Sequence, residues 1–261
     1  YQERDGIHVI DLVQTKAGLE KAAEFVRSLG ASGKKVLFMG TKRQAATIIR
    51  EEATTAQAPY ITRHWIGGFL TNWTEVHKNL QKIRRLTEEQ ANNAWKKFPK
   101  HERVKLGRYL NKLNQLYGGV VQLMTPPDAL FVVDIRTEAV AVAEARKIGI
   151  PIVGVVDTNA DPQLVDYMIP SNDDAVGAVK LIVSYVAAAY KEGIEAYQKE
   201  SVKASEKIET DKIAVQKALE EAKKIKEAKP TLKDEIKIEE AKASAKRAEK
   251  KPVEKKTEAK K

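Results

Sequence analysis

The feature that most constrains this chain is a repeated exchange between two hydrophobic periods. Short unbroken apolar runs alternate with longer stretches in which apolar residues recur every three or four positions. Val36-Leu37-Phe38-Met39 is one such run, and Gly40-Thr41 leads from it into a stretch carrying Ala45, Ala46, Ile48 and Ile49. An unbroken run suits a strand covered on both faces, and the wider period suits a helix with one buried stripe. The same reading predicts a buried strand over Ile7–Val13, then a helix capped by Thr15, striped by Leu19, Ala22, Ala23, Val26 and Leu29, and stopped by Gly30 and Gly33. A strand is expected near Tyr60-Ile61. Further on come a strand at Ala129–Val133, a helix at Glu138–Ile148 ended by Gly149, and a strand at Ile152–Val156. A short strand at Tyr167–Ile169 and a long helix opened by Asp173 or Asp174 complete the series. Strands alternating with helices predict an α/β fold with a doubly wound, flavodoxin-like parallel sheet and right-handed crossovers; there are too few strands for a barrel.

Residues 75–118 break the alternation. Val76, Leu80, Ile83 and Leu86 share one helical face, and so do Leu106, Leu110, Leu113 and Tyr117. Asn92, Asn93, Phe98 and Pro99 lie between the two stripes. Two narrow apolar seams with a break between them predict an inserted antiparallel helical hairpin, a short coiled coil. The expected organisation is therefore 1–74 and 119–198 as two parts of one α/β domain, 75–118 as the inserted hairpin, and 199–261 as a tail. From about residue 199 the chain turns to Lys, Glu and Ala, with Pro230 and Pro252 interrupting any helical repeat. Such a segment has helical tendency and no core of its own.

Charge follows the same divisions. The net formal charge is +10, distributed as +3 over 1–74, +7 over 75–118, −6 over 119–198 and +6 over 199–261. A basic insertion and a basic tail therefore flank an acidic second half, and a field of one sign is what a polyanion responds to. Cysteine is absent, which excludes disulfides, a thiol nucleophile and a cysteine zinc site, and fits a reducing compartment. No apolar run reaches the ~18 residues of a membrane span. The first residues read as the middle of a longer unit, so a segment upstream of Tyr1 is expected.

Little here reads as catalytic. His8, His64, His77 and His101 make no close ligand pair. Asp134 and Asp157 fall at strand ends, where carboxylates serve catalysis in some enzymes and cap loops in many sheets; no nucleophile and base accompany them. No metal and no cofactor is implied. Gly40-Thr41-Lys42-Arg43 admits three readings: a plain strand–helix turn, an RNA phosphate contact through Lys42 and Arg43, or a nucleotide site. It lacks the glycine spacing of the dinucleotide and P-loop motifs. A phosphate-ligand enzyme of the doubly wound class is thus the alternative to an RNA-binding protein. The run Arg63-His64-Trp65-Ile66-Gly67-Gly68-Phe69-Leu70-Thr71-Asn72-Trp73 offers guanidinium, hydrogen-bonding and stacking groups suited to RNA, with Trp65 the residue best suited to the core. The candidate RNA-binding residues are Lys42, Arg43, Arg63, His64, Thr71, Asn72 and Trp73, with Lys78, Lys82, Arg84, Arg85, Lys96, Lys97, Lys100 and Arg103 on the hairpin.

These residues carry a family likeness. Gly40-Thr41-Lys42-Arg43 and Trp65-Ile66-Gly67-Gly68-Phe69-Leu70-Thr71-Asn72-Trp73 resemble the first half of bacterial ribosomal protein S2. Pro127-Asp128-Ala129-Leu130-Phe131-Val132-Val133-Asp134, Glu144, Gly149-Ile150-Pro151, Asp157-Thr158-Asn159 with Asp161-Pro162, and Ile169-Pro170 with Asn172-Asp173-Asp174-Ala175 resemble the second half, in order. The likeness spans about residues 1–195, and Phe98-Pro99-Lys100-His101-Glu102 suits that family's protruding coiled coil. The resemblance implies a structural, non-enzymatic component of the small ribosomal subunit in the cytoplasm. It implies binding to small-subunit ribosomal RNA, late entry into assembly, a role in translation, and docking of the mRNA-binding protein S1 beside other small-subunit proteins. Two features depart from the family pattern: its usual opening segment is not seen upstream of Tyr1, and Arg63-His64 stand in the reverse of the usual order.

Overall fold

The computed structural model describes the backbone of residues 2–4, 7–227 and 239, and the side chains of 9–201 and 239. The chain divides into two compact units, Tyr1–Tyr197 and Gln198–Lys261.

The first unit is built on a parallel five-stranded sheet. Its strands are β3 (Val36–Met39), β4 (Tyr60–Ile61), β5 (Ala129–Val133), β6 (Ile152–Val156) and β7 (Tyr167–Pro170). They lie in the order β4-β3-β5-β6-β7, so the order reverses between β3 and β5. Val36 pairs with Ala129 and Met39 with Val132 at that central seam. Both faces are covered, which is why the strand residues are apolar without alternation. Val36, Phe38, Phe131, Val133, Val153 and Val155 face one core with α1 (Leu12–Ala31), α2 (Arg43–Thr55) and α6 (Val176–Glu227). Leu37, Met39, Leu130, Val132 and Ile152 face the other, with α5 (Ala139–Ile148), the Trp65–Leu70 segment and the residues between 76 and 123. Phe38 and Phe131, 5.1 Å apart on neighbouring strands, join the first core across the sheet.

The start of the chain differs from expectation. Ile7–Val13 is not one buried strand. The strand β2 (Ile7–Val9) pairs antiparallel with β1 (Gln2–Arg4), apart from the main sheet. Helix α1 then begins at Leu12, because the Asp11 carboxylate accepts the Val13 N–H at 2.9 Å and caps it. Thr15, the expected cap, instead donates its hydroxyl to the Pro170 carbonyl at 2.6 Å. Leu12 and Val13 are consequently 76% and 78% exposed. Gly30 is not a stop signal either. It is buried within α1, and a Cβ there would lie 2.7 Å from the Tyr190 carbonyl and 3.1 Å from the Gly193 Cα, so it allows α6 to pack closely. At the start of α6, Asn172 rather than an Asp accepts the following amides, from Asp174 and Ala175.

Between β4 and β5 the chain forms α3 (Trp73–Ala91), a turn of 3-10 helix over Ala94–Lys97, and α4 (Lys100–Tyr117). Val76, Leu80, Ile83 and Leu86 on α3, with Leu110, Leu113 and Tyr117 on α4, are buried in one cluster. Trp95 closes the far end, its indole N–H donating to Glu89 at 3.2 Å. At the near end the Asn79 amide donates to the Tyr117 hydroxyl at 3.3 Å. In the second unit, residues 198–227 are helical. The interruptions expected at Pro230 and Pro252 lie outside the described residues.

Candidate nucleic-acid interface

The polar residues form three groups, the first of them where the strand order reverses. The C-terminal ends of β3 and β5 diverge there, and open α/β sheets commonly hold ligands in that crevice. Here it holds a cluster of the chain's own charged side chains. Lys42, the residue before α2, directs its ammonium to Asp173 at 2.6 Å, Asp174 at 2.8 Å and Asp134 at 3.0 Å. Asp134 and Asp173 are buried, and a buried carboxylate needs such a partner. Burial disfavours the charged form of Lys42, but the three carboxylates outweigh it and raise the pKa above the ordinary lysine value. Burial likewise opposes ionisation of Asp134, yet hydrogen bonds from Thr137 and the charge of Lys42 hold its pKa below the usual range. Asp173 goes the other way: burial, with Asp134 and Asp157 nearby, raises it despite Lys42. Beside this cluster the Glu138 carboxylate accepts the Thr41 N–H at 2.8 Å and its hydroxyl at 2.6 Å.

The second group is organised by Glu144 on α5. One carboxylate oxygen accepts the Trp65 indole N–H at 3.0 Å and the Gly68 N–H at 2.7 Å. The other accepts the Leu70 N–H at 3.0 Å, and the Thr71 N–H and hydroxyl at 3.3 Å each. Burial would raise the Glu144 pKa, but these donors, Gly68 foremost, bring it below the usual carboxylate value. The loop can wrap the carboxylate because Gly68 adopts φ +86°, a region that favours glycine. Trp65 and Phe69 are then buried with rings 5.1 Å apart, and Trp73 meets Phe69 edge-on at 5.8 Å. Arg63 and His64 are left exposed, with Arg63 within 3.5 Å of Gln115 on α4.

The third group is the basic surface of α3 and α4. Arg84 is not part of it. Its guanidinium turns inward and donates to the Val121 and Leu123 carbonyls, at 2.9 Å from Nε to Val121 and 2.9 Å from Nη2 to Leu123. The remaining bases of α3 are exposed but engaged: Lys78 by Glu75 at 2.7 Å, Arg85 by Glu89 at 3.2 Å, and Lys82 over the Tyr109 ring at 4.7 Å. Lys97 lies over Phe98. Lys96, Lys100 and Arg103 are exposed and have no carboxylate partner among the described residues.

Residues 1–193 match the family model described as Ribosomal protein S2. The chain belongs to the ribosomal protein S2 family. The small ribosomal subunit protein uS2 of Coprothermobacter proteolyticus is 49% identical over 198 residues, which cover 76% of this chain and 74% of that protein. The protein of the same name from Roseiflexus is 46% identical over 193 residues, 74% of each chain. That of Mycobacteroides abscessus is 45% identical over 196 residues, 75% of this chain and 71% of the other. Ribosomal S2 proteins are structural ribosomal components, not enzymes.

Within this S2 family member the candidate residues fall into three sets. Arg43, His64, Asn72, Lys96, Lys100 and Arg103 are exposed, and so are Arg63 and Lys97, which meet only Gln115 and the Phe98 ring among the described residues. Lys78, Lys82, Arg85 and Thr71 are exposed and already partnered. Lys42, Arg84 and the half-buried Trp73 serve the fold. Glu144 was visible in the sequence only as part of the family pattern. One signal does point to it: three residues after the buried Ala141 and one before the buried Ala145, it shares their inward side of α5. A carboxylate placed there needs donors.

Proposed function

We propose that this S2 family chain is a structural, ribosomal-RNA-binding component of the small ribosomal subunit. The observation that carries the reading is the cluster of exposed bases Lys96, Lys97, Lys100 and Arg103 at the junction of α3 and α4, unmatched by acids among the described residues. Lys and Arg so placed neutralise phosphates and release counterions, which is the chief source of affinity for a nucleic-acid backbone. Arg43, Arg63, His64 and Asn72 add exposed donors on the loops beside it. The α3–α4 pair is read as an antiparallel hairpin inserted into a doubly wound, flavodoxin-like domain, with the described part of the tail as a helical appendage. The family likeness supports a cytoplasmic, ribosome-bound protein that joins late in assembly and helps dock S1. Among the described residues no helix is long and apolar enough to cross a membrane.

The test is binding to protein-free small-subunit rRNA across a salt series, together with cosedimentation with small subunits. The reading expects affinity that falls steeply with salt. It also expects loss of both signals when Lys96, Lys97, Lys100 and Arg103 are changed to Glu. Full subunit occupancy by that variant would overturn it.

A further inference from the structure

The two helices of the basic pair are not equivalent, and their difference locates an RNA track that the candidate residues above largely miss. From Arg103 to Pro127 the chain contains no Asp or Glu. On α4, His101, Lys105, Arg108 and Lys112 follow one another at intervals of four, three and four residues, and all are exposed. At 3.6 residues per turn that spacing keeps them within about 60° of one another around the helix. The buried Leu110, Leu113 and Tyr117 occupy the other side. None of the three lysines and arginines has a hydrogen-bond, ion-pair or ring partner among the described residues, whereas every base of α3 does. Arg63 reaches Gln115, about one turn beyond Lys112 at the end of the row, so the Trp65 loop adds a fifth group to it.

We infer that Lys105, Arg108 and Lys112 on α4, extended by Arg63, form a track for the phosphate backbone of a single RNA strand, and that α3 does not contact it. This rests on the RNA-binding reading above and sharpens it. Three properties support a phosphate backbone rather than a protein. The cations repeat about once per helical turn, near 5 Å, and so form a linear array of one sign of charge that a polyanionic strand can follow. Val104 and Tyr109 are the exposed large apolar side chains of α4, and they flank the row singly on either side rather than forming the central anchor of a protein interface. The ammonium and guanidinium groups are not matched by internal acids, so phosphate oxygens meet them without first breaking an ion pair.

The experiment compares two triple variants of the full chain that remove equal charge. One is Lys105→Gln, Arg108→Gln and Lys112→Gln; the other is Lys78→Gln, Lys82→Gln and Arg85→Gln. Circular dichroism melts establish that both fold, and glutamine is a good helix former on an exposed face. Each is titrated with protein-free small-subunit rRNA across a salt series and tested for occupancy of small subunits. The inference expects the α4 variant to lose at least about tenfold in RNA affinity, with its log–log salt slope shallower by about two to three. The α3 variant should change by less than about threefold. Arg63→Gln added to the α4 variant should weaken it further. Equal losses from the two triples would leave an RNA-binding protein with a diffuse field and overturn the track. Unchanged RNA affinity with lost subunit occupancy would assign the α4 row to a protein neighbour and overturn it too. Failure of the unaltered chain to bind the RNA at any salt would remove the underlying reading as well.

Discussion

The Glu144 carboxylate accepts the Trp65 indole N–H at 3.0 Å across 79 residues of sequence, so a side chain of α5 fixes the shape of a loop that precedes the whole α3–α4 pair. Both carboxylate oxygens are used, one for Trp65 and Gly68, the other for Leu70 and Thr71. Glu144→Gln keeps one acceptor and turns an NH2 group toward backbone donors. The expected cost is about 2–3 kcal/mol, as for losing hydrogen bonds to a charged group and leaving donors unmet. Chemical denaturation measures it. Because the folded pKa of Glu144 is depressed, its contribution is fully present above the unfolded carboxylate value of 4.5 and is lost as pH falls through the lower folded value. The gap between wild type and Glu144→Gln should therefore narrow in acid; a gap constant from pH 7 to pH 3 would contradict the ionised anchor.

Lys42 predicts a pH response with its own signature. Lys42→Gln leaves Asp134 and Asp173 buried without their cation, a change that typically costs about 3–5 kcal/mol. Without the ammonium the folded pKa values of these carboxylates rise, and a carboxyl group with a raised folded pKa favours the folded state at low pH. The deficit of the variant should be greatest near pH 7 and shrink toward pH 5. Asp173→Asn in the same chain should recover part of the loss at pH 7. Denaturant midpoints at the two pH values decide the matter: a deficit that grows toward pH 5 has the wrong sign.

How much of this was legible beforehand differs by the range of the interaction. The five sheet strands could be read because each is an apolar run bounded by turn residues, a local pattern. The cap at Asp11 was missed because five of the seven residues of Ile7–Val13 are apolar, and what divides the stretch is the single short side chain of Asp11 reaching Val13. Lys42 and Arg84 read as free cations because their partners, Asp173 and Leu123, lie 131 and 39 residues away and are brought close by connections that leave no local trace. Charge counts identify a basic segment; only the folded chain says which bases are already engaged.

The two adjacent glycines of the Trp65 loop should respond differently to the same change. Gly68 has φ +86°, whereas Gly67 is not in the positive-φ region and has open space where a Cβ would sit. Gly68→Ala should cost about 1–2 kcal/mol through the left-handed conformation alone. Gly67→Ala should be within about 0.5 kcal/mol of wild type, as for an unencumbered surface position. Thermal melts of the two variants check this, and equal losses would mean that the backbone conformation at Gly68 is not what the loop requires.

Arg84 is a cation of α3 whose charge serves stability. Its guanidinium holds the Val121 and Leu123 carbonyls, which ties the segment after α4 back onto α3. In Arg84→Gln the shorter amide cannot reach both carbonyls, and hydrogen bonds from a charged donor are worth roughly 1.5–3 kcal/mol. A fall in stability of about 2 kcal/mol is therefore expected. The salt slope of RNA binding should stay as in wild type, because a cation already spent on carbonyls releases no counterion from a phosphate. Lysine at this position restores the charge but not the planar fork that spans two acceptors, so Arg84→Lys should also be destabilised. If Arg84→Gln kept its stability and made the salt slope shallower by about one, Arg84 would belong with the phosphate contacts after all.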